Sequence, residues 1–286
     1  MRYSRRVLTV AIAAAAASCA LQPPTDLASK IMSYEEVARV EREVPFVRHY
    51  KSGSGALTIV GVEHSFDAHG TTTGLIWSEW NETKPTVAFF EGTGWAMGAN
   101  QTTVGSFGEP AYVRFLAFAS RVPVASVEPD LVHEIGHLQK SWSDSEIKVF
   151  YTLRWIAERN HSDSGAPSDE EISEFLQSWF PPIGTLSREP SSTQALEQEL
   201  STLLPSSASW RQASPDWVEP TLNSSFLNQI ARDSGRFRDA YILRTVLKEV
   251  ADGERVFLAI GFKHVHMLEP ALSKALGEPL VAEHGA

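Results

Sequence analysis

Four apolar runs of strand length are each followed, within a few residues, by side chains that can do acid–base chemistry. The runs cover residues 57–60, 86–90, 122–127 and 255–260. The side chains that follow them are Glu63 and His64, Glu91, Glu128 and His264. Imidazole and carboxylate groups can activate water by taking its proton. The same nitrogen and oxygen atoms can instead hold a divalent metal such as zinc, manganese or cobalt.

The elements that must position these side chains follow from the pattern between the runs. Residues 71–81 and 110–120 have the length and apolar spacing of helices. Continuous apolar strands that alternate with helices are typical of a parallel sheet covered on both faces. The sequence therefore predicts an α/β fold with a mainly parallel sheet flanked by helices. Because parallel strands end at one edge, where open α/β folds bind ligands, we expect the ionisable side chains to meet there.

A sixth candidate, Arg238, comes from a helix predicted over residues 226–250 and bent or broken near Gly235. Arg238 lies one turn before Ile242 on the stripe of that helix that faces the core. A buried guanidinium is costly unless it meets a carboxylate, so Glu91 or Glu128 is its natural partner. Arg238 then either closes a structural ion pair or serves the site by fixing a carboxylate or stabilising an oxyanion.

A separate motif offers a different chemistry. His133, Glu134 and His137 have the His-Glu-x-x-His spacing of zinc peptidases, in which two histidines bind zinc and the glutamate activates water. Glu158 could supply a third ligand from the next helix. The alternative interpretation is an ordinary helix after the third strand, beginning near Asp130 because Pro129 precedes it.

The N-terminus has the features of an export signal. Arg2, Arg5 and Arg6 precede an apolar run over residues 7–17, which is too short to span a bilayer. The small residues before Cys19, the single cysteine of the chain, resemble a lipobox. We therefore expect a signal peptide over residues 1–18, a lipid anchor on Cys19 and a tether over residues 19–32. This places the protein in the bacterial cell envelope, facing the periplasm and held at the membrane only by its anchor.

Composition limits the remaining possibilities. The chain has 286 residues, with 25 Lys and Arg against 35 Asp and Glu, and a net charge of −10. Such a surface repels phosphate backbones, which argues against nucleic acid as a partner. A single cysteine excludes an internal disulfide and a thiolate metal site. We expect one domain over residues 33–286, beginning with a capping-box helix over residues 33–44. Residues 160–221, rich in Ser, Pro and Asp, form a helical insertion or lid.

The order of these motifs resembles one superfamily. The chain has paired Gly-x-x-His motifs at the two ends of the domain, a glutamate after the second and third strands, and an Arg-Asp pair in the long helix. This set, over roughly residues 56–138 and 230–270, resembles the superfamily that joins Tiki proteases, TraB proteins, ChaN-like haem-binding lipoproteins and erythromycin esterases. The resemblance implies an α/β core with a cleft lined by His64, Glu91, Arg238 and His264, with Glu63 and Glu128 beside them.

The resemblance leaves more than one function open, because some members look like metal-dependent proteases and others like metal-independent esterases. The leading hypothesis is a hydrolase for a small-molecule or peptide substrate, in which His64 activates water alone or on a metal shared with His264. The second is a haem- or metal-binding lipoprotein of the ChaN-like type that performs no reaction. The third is the zinc peptidase built on His133 and His137.

Overall fold

The computed structural model describes residues 25–41, 44–64, 67–92, 104–161, 165–180, 186, 189–204 and 209–280. The expected signal peptide and Cys19 lie outside these residues. Among the helices of the described residues, none combines the length and the apolar character needed to cross a membrane.

A mainly parallel sheet forms the centre of the protein, so the predicted α/β fold is confirmed. Its strands are β1 (Phe46–Ser52), β2 (Gly55–Val62), β3 (Val87–Phe90), β4 (Val124–Ser126) and β5 (Arg255–Gly261). Their order across the sheet is β1-β2-β5-β3-β4, and all neighbours are parallel except β1 and β2. The edge strand β1 is not predicted by the sequence. Six of its seven residues are only partly buried or exposed, so it lacks the apolar run or the clean alternation that marks a strand.

Helices cover both faces of the sheet. They are α1 (Thr25–Ala28), α2 (Tyr34–Val37), α3 (Thr71–Thr83), α4 (Val104–Ser120), α5 (Leu131–Leu138), α6 (Asp144–Asn160), α7 (Asp169–Ser178), α8 (Thr193–Leu203), α9 (Phe226–Ala251) and α10 (Phe262–Leu276). Strand β5 shows the division between the two faces. Val256, Leu258 and Ile260 pack with α9 and α10, whereas Phe257 and Ala259 pack with α3 and α4. Both faces of β5 are therefore dry, as its continuous apolar sequence indicates.

A third hydrophobic cluster, apart from the two that flank the sheet, lies in the helical part of the chain. It joins buried side chains from α5 to α8 with the first turns of α9, including Leu227 and Ile230. The stretch predicted as an insertion, residues 160–221, contributes α7, α8 and two short 3-10 turns. Its apolar residues Ile172, Leu196 and Trp210 are almost fully buried in this cluster. The helical layer thus packs around a core distinct from the two that flank the sheet.

Helix α9 runs through Gly235 as a single element, so of the predicted bend or break near that glycine, the break is wrong. The glycine is needed for another reason. A Cβ atom on Gly235 would lie 1.8 Å from the hydroxyl oxygen of Tyr34, which packs directly against the helix backbone. The first half of α9 belongs to the helical cluster, and Ile242 and Val246 in the second half pack on the sheet. Arg238 therefore lies between the two cores.

The segment before the sheet is less extended than the sequence predicts. Residues 25–32, expected to be part of a tether, pack on the domain: Leu27 and Ile31 contact the apolar cluster, and the Met32 N–H donates to the carbonyl of Met267 at 2.9 Å. The predicted capping box is present, with Ser33 as N-cap. However, the helix that it starts ends at Val37 rather than at residue 44.

Candidate functional site

Four of the predicted residues meet at the carboxyl edge of the sheet. His64 follows β2, Glu91 follows β3, His264 lies in the first turn of α10 after β5, and Arg238 reaches the same place from α9. The Nε2 atoms of His64 and His264 lie 3.8 Å and 3.6 Å from different carboxylate oxygens of Glu91. Glu91 is therefore the centre of the cluster, because the parallel strands that precede these residues end at one edge of the sheet.

Glu91 is surrounded by donors and positive charges. The Gly261 N–H donates to Oε2 at 2.6 Å, and Nη2 of Arg238 lies 3.5 Å from Oε1. Burial by itself would raise the pKa of this carboxyl group. The positive charges of His264, Arg238 and His64, together with the Gly261 N–H, outweigh burial and lower the pKa to about 2. Glu91 is consequently an anion at every physiological pH.

Arg238 is held mainly by Glu128, as its place on a buried stripe predicts. Its Nε donates to Oε2 of Glu128 at 2.6 Å, and its Nη2 donates to Oε1, which makes a two-pronged contact. Burial opposes the charge, but the carboxylates of Glu128 and Glu91 more than compensate and raise the pKa of the guanidinium further. The side chain is thus a fixed, oriented cation, with Nη1 not used in these bonds.

His264 is also held as a cation. Its Nδ1 donates to Oδ1 of Asp239 at 2.6 Å, and Asp239 is fully buried. Burial would lower the pKa of the imidazole, but the charge and hydrogen bond of Asp239 and the charge of Glu91 raise it to about 9. The ring is therefore an imidazolium at neutral pH, with Nε2–H directed at the cluster.

His64 differs from the other members because it remains accessible, with 58% of its side chain exposed. Its Nδ1 lies 3.5 Å from Oε2 of Glu109, which is buried. Glu109 lies on α4 directly after Gly108, where a φ of 62° interrupts the helix. The hydrogen bond to Glu109 is the main reason that the pKa of His64 is raised above its ordinary value. A neutral His64 that donates from Nδ1 keeps Nε2 free to accept a proton.

Gly261 marks the open space that these groups share. A Cβ atom at this residue would lie 3.2 Å from Oε2 of Glu91, 3.6 Å from Nε2 of His64 and 3.7 Å from Cδ2 of His264. The backbone of Gly261 has a φ of −51°, which any residue can adopt, so the glycine is not required by its conformation. It leaves room for small polar atoms between the two imidazoles and the carboxylate.

Other predicted residues are placed differently. Glu63, expected beside the cluster, is exposed, and no hydrogen bond or ion pair is recorded for it among the described residues. In the zinc motif, His133 is exposed and Glu134 is buried, accepting a hydrogen bond from the Tyr151 hydroxyl at 2.8 Å and another from Ser234. A glutamate enclosed in this way cannot activate a zinc-bound water.

The other residues of the zinc motif have different contacts, so the described part of the chain gives no support to a zinc peptidase. His137 stacks on Phe237, and Glu158 is exposed and ion-paired to Arg154 at 3.1 Å. Across the residues that the structure describes, no three His, Cys, Asp or Glu side chains are grouped to hold a metal ion. Helix α5 begins after the N-cap Asp130, and is the ordinary helix that the alternative interpretation expects.

Each ring of the His64 and His264 pair leaves one nitrogen facing Glu91, because Nδ1 of His64 lies against Glu109 and Nδ1 of His264 binds Asp239. Without a metal ion Nε2 of His264 carries a proton, which a metal or a haem iron would have to displace. Glu91 itself is held by Arg238 and His264. Metal or haem binding by this pair stays a prediction.

Two residues of the site do not follow a strand and were not predicted from the sequence. Glu109 lies on a helix, 45 residues after its partner His64, and only the irregular backbone at Gly108 sets it apart. Asp239 directly follows Arg238, and helical geometry places the two side chains on different partners. The Arg-Asp pair in the sequence is the one signal that could have indicated Asp239.

Comparison of the chain with family models, with curated proteins and with solved structures finds no match in any of the three. Function is therefore inferred from the geometry of the site.

Proposed function

We propose that the protein is a hydrolase in which His64 activates a water molecule, and that it belongs to the superfamily of Tiki proteases, TraB proteins and erythromycin esterases. The observation that carries the proposal is the meeting of two imidazoles, one accessible and one fixed as a cation, around the open space at Gly261. A base and a positive charge on either side of one space are the two groups that hydrolysis of a carbonyl compound needs.

His64 has the properties of the general base. Glu109 holds the Nδ1 side of the ring, as the carboxylate orients the histidine in hydrolytic triads, and Nε2 faces the cluster. Nε2 takes a proton from water while the water oxygen bonds to the carbonyl carbon of the substrate. The tetrahedral intermediate then expels the leaving oxygen or nitrogen, which receives that proton from His64. The reaction consumes one water and needs no other reactant.

His264 and Arg238 supply the positive charge for the oxyanion that forms in this step. The imidazolium can donate from Nε2, and the guanidinium is fixed by Glu128 so that little reorganisation is needed. Glu91 keeps both cations in place and stays ionised, since its pKa is about 2. The groups that stabilise charge are thus separate from the group that moves the proton.

The test is hydrolysis of a panel of 4-nitrophenyl esters and peptides by the wild-type protein and by His64→Ala. Loss of a general base is expected to lower kcat/KM by about a hundredfold to ten-thousandfold. The matched control is His133→Ala, which removes an exposed histidine outside the cluster and should leave kcat/KM unchanged. Full activity of His64→Ala on a substrate that the wild type hydrolyses would refute the assignment.

The same proposal includes export and lipid anchoring at Cys19. The basic start, the short apolar run and the small residues before this single cysteine support it. The protein would then act at the membrane surface of the cell envelope, on small-molecule or peptide substrates.

A further inference from the structure

A small recess lies beside the cluster, between the helical layer and the start of α10. Its volume is about 230 Å³, which is below the roughly 300–1,000 Å³ of a site for a whole drug-sized ligand. The polar and charged side chains on its wall include Tyr34, Arg154, Glu219, Arg238, Lys263 and His264. Because Arg238 and His264 also belong to the cluster, a group bound in the recess is adjacent to the site of hydrolysis.

The wall of this recess offers unused hydrogen-bond donors. Arg154 uses Nε in its contact with Glu158, and no bond is recorded for its two terminal nitrogens within the described residues. Arg238 likewise directs Nε and Nη2 at carboxylates, while no bond is recorded for Nη1 in that part of the chain. A guanidinium with both terminal nitrogens free matches the two oxygens of a carboxylate.

Tyr34 adds a buried hydroxyl to these donors. Its side chain is 3% exposed, and its hydroxyl oxygen lies against the backbone of α9 at Gly235. The structure records no hydrogen bond for this hydroxyl among the residues it describes. Burial, with the nearby charge of Asp239, raises the pKa of Tyr34, so the hydroxyl keeps its proton and can donate it in a hydrogen bond.

The carboxylate on the same wall already has donors. Both oxygens of Glu219 lie 3.1 Å from Nζ of Lys263, and the carboxylate also accepts from the N–H and the hydroxyl of Thr221. The hydroxyl of Ser234 donates its proton to Glu134, so it offers no donor to an occupant of the recess. An occupant that brings acceptors and negative charge therefore satisfies the wall, whereas a cationic or donor-rich occupant does not.

We propose that this recess binds a carboxylate group of the substrate, so that the enzyme acts on esters or amides that carry a carboxylate close to the bond that is cleaved. Arg154 and the Tyr34 hydroxyl are the specificity-determining groups. The hydrolytic part rests on the proposed function, but the binding of a carboxylate in the recess does not require turnover. The small volume favours a short acidic side chain or chain terminus over a long acyl chain.

Binding is tested first, by calorimetric titration of the full-length protein with succinate. One site is expected for the wild type, with affinity lowered about tenfold to a hundredfold in Arg154→Gln and by about tenfold in Tyr34→Phe, which removes only the hydroxyl. Arg159→Gln, on the same helix but outside the recess, is the matched control and should bind as the wild type does. Equal affinity in all four proteins, or tighter binding of inorganic phosphate than of succinate, overturns the carboxylate assignment.

Hydrolysis is tested next with mono-4-nitrophenyl succinate and with the methyl ester of its free carboxyl group, which has the same bonds but no charge. The acid is expected to be hydrolysed with a kcat/KM about tenfold or more above that of its methyl ester, and Arg154→Gln should remove the preference mainly through KM. A preference for the neutral ester overturns the inference. Succinate binding without hydrolysis of either ester supports the recess and counts against the proposed function, so the two failures are distinguishable.

Discussion

Replacing Asp239 by Asn tests whether a buried carboxylate holds His264 as a cation. Asp239 is fully buried and its Oδ1 accepts from Nδ1 of His264 at 2.6 Å. Asparagine keeps the shape and an acceptor oxygen but removes the charge. Burial, which opposes protonation of the imidazole, is then opposed mainly by the charge of Glu91, and the pKa of His264 falls from about 9 towards its ordinary value of 6.5.

The size of the effect follows from the linkage between protonation and folding. His264 has a higher pKa in the folded protein than in the unfolded chain, so its contribution to stability is complete below pH 6.5 and is lost as the pH rises through about 9. At about 1.4 kcal/mol for each tenfold change in proton affinity, this contribution is about 3 kcal/mol. The difference in unfolding free energy between wild type and Asp239→Asn should therefore be about 3 kcal/mol larger near pH 6 than near pH 10.

Urea unfolding followed by circular dichroism measures this difference at a series of pH values. Subtracting the two curves removes the contributions of groups that titrate alike in both proteins, provided that the m-values agree. A difference that stays constant between pH 6 and pH 10 would show that Asp239 does not control the protonation of His264. The kcat of Asp239→Asn should also fall near pH 7, because the oxyanion then faces a neutral ring.

Three further outcomes are expected. Gly261→Ala should abolish activity, because its Cβ would lie 3.2 Å from Glu91 in the space for water. The cost in folding stability should be at most about 1–3 kcal/mol. Gly74→Ala is the control and should stay active, because a Cβ there meets nothing within 4 Å. Dialysis against EDTA should leave kcat/KM unchanged, because Arg238 and His264 contact Glu91 directly and the proposed reaction uses no metal ion. Recovery that depends on added zinc or manganese would contradict this. Radioactive fatty acid should label the wild type but not Cys19→Ser when each is expressed with its native leader, and an unlabelled wild type would remove the anchor from the proposal.

The sequence predicts the part of the site that depends on strand ends. A buried parallel strand has a continuous apolar pattern, so the residues after it, such as His64, Glu91 and His264, can be assigned to one edge before any coordinates are known. Arg238 was predictable because a charge on an apolar helix stripe must find a carboxylate, and it contacts both candidates, Glu128 and Glu91. In these cases local pattern and long-range position agree.

The rest depends on contacts between distant parts of the chain that no local pattern encodes. Glu109 reaches His64 from an irregular helix start, and Tyr34 reaches α9 from a short helix near the N-terminus. The His133 and His137 spacing is a true helical repeat of one turn, but the buried side of that helix packs on α9. Its glutamate was therefore enclosed by tertiary packing that spacing alone does not reveal.

Helix α9 links the catalytic cluster to the helical layer as well as to the sheet. This single helix of 26 residues carries Arg238 and Asp239 near its midpoint, with its first turns packed in the helical layer and its second half packed on the sheet. The site therefore cannot be transferred by grafting the sheet and its loops alone. Exchange of the helical layer between proteins of this fold would change the tilt of α9. It would therefore also change the direction of the Arg238 and Asp239 side chains, which the sheet does not supply.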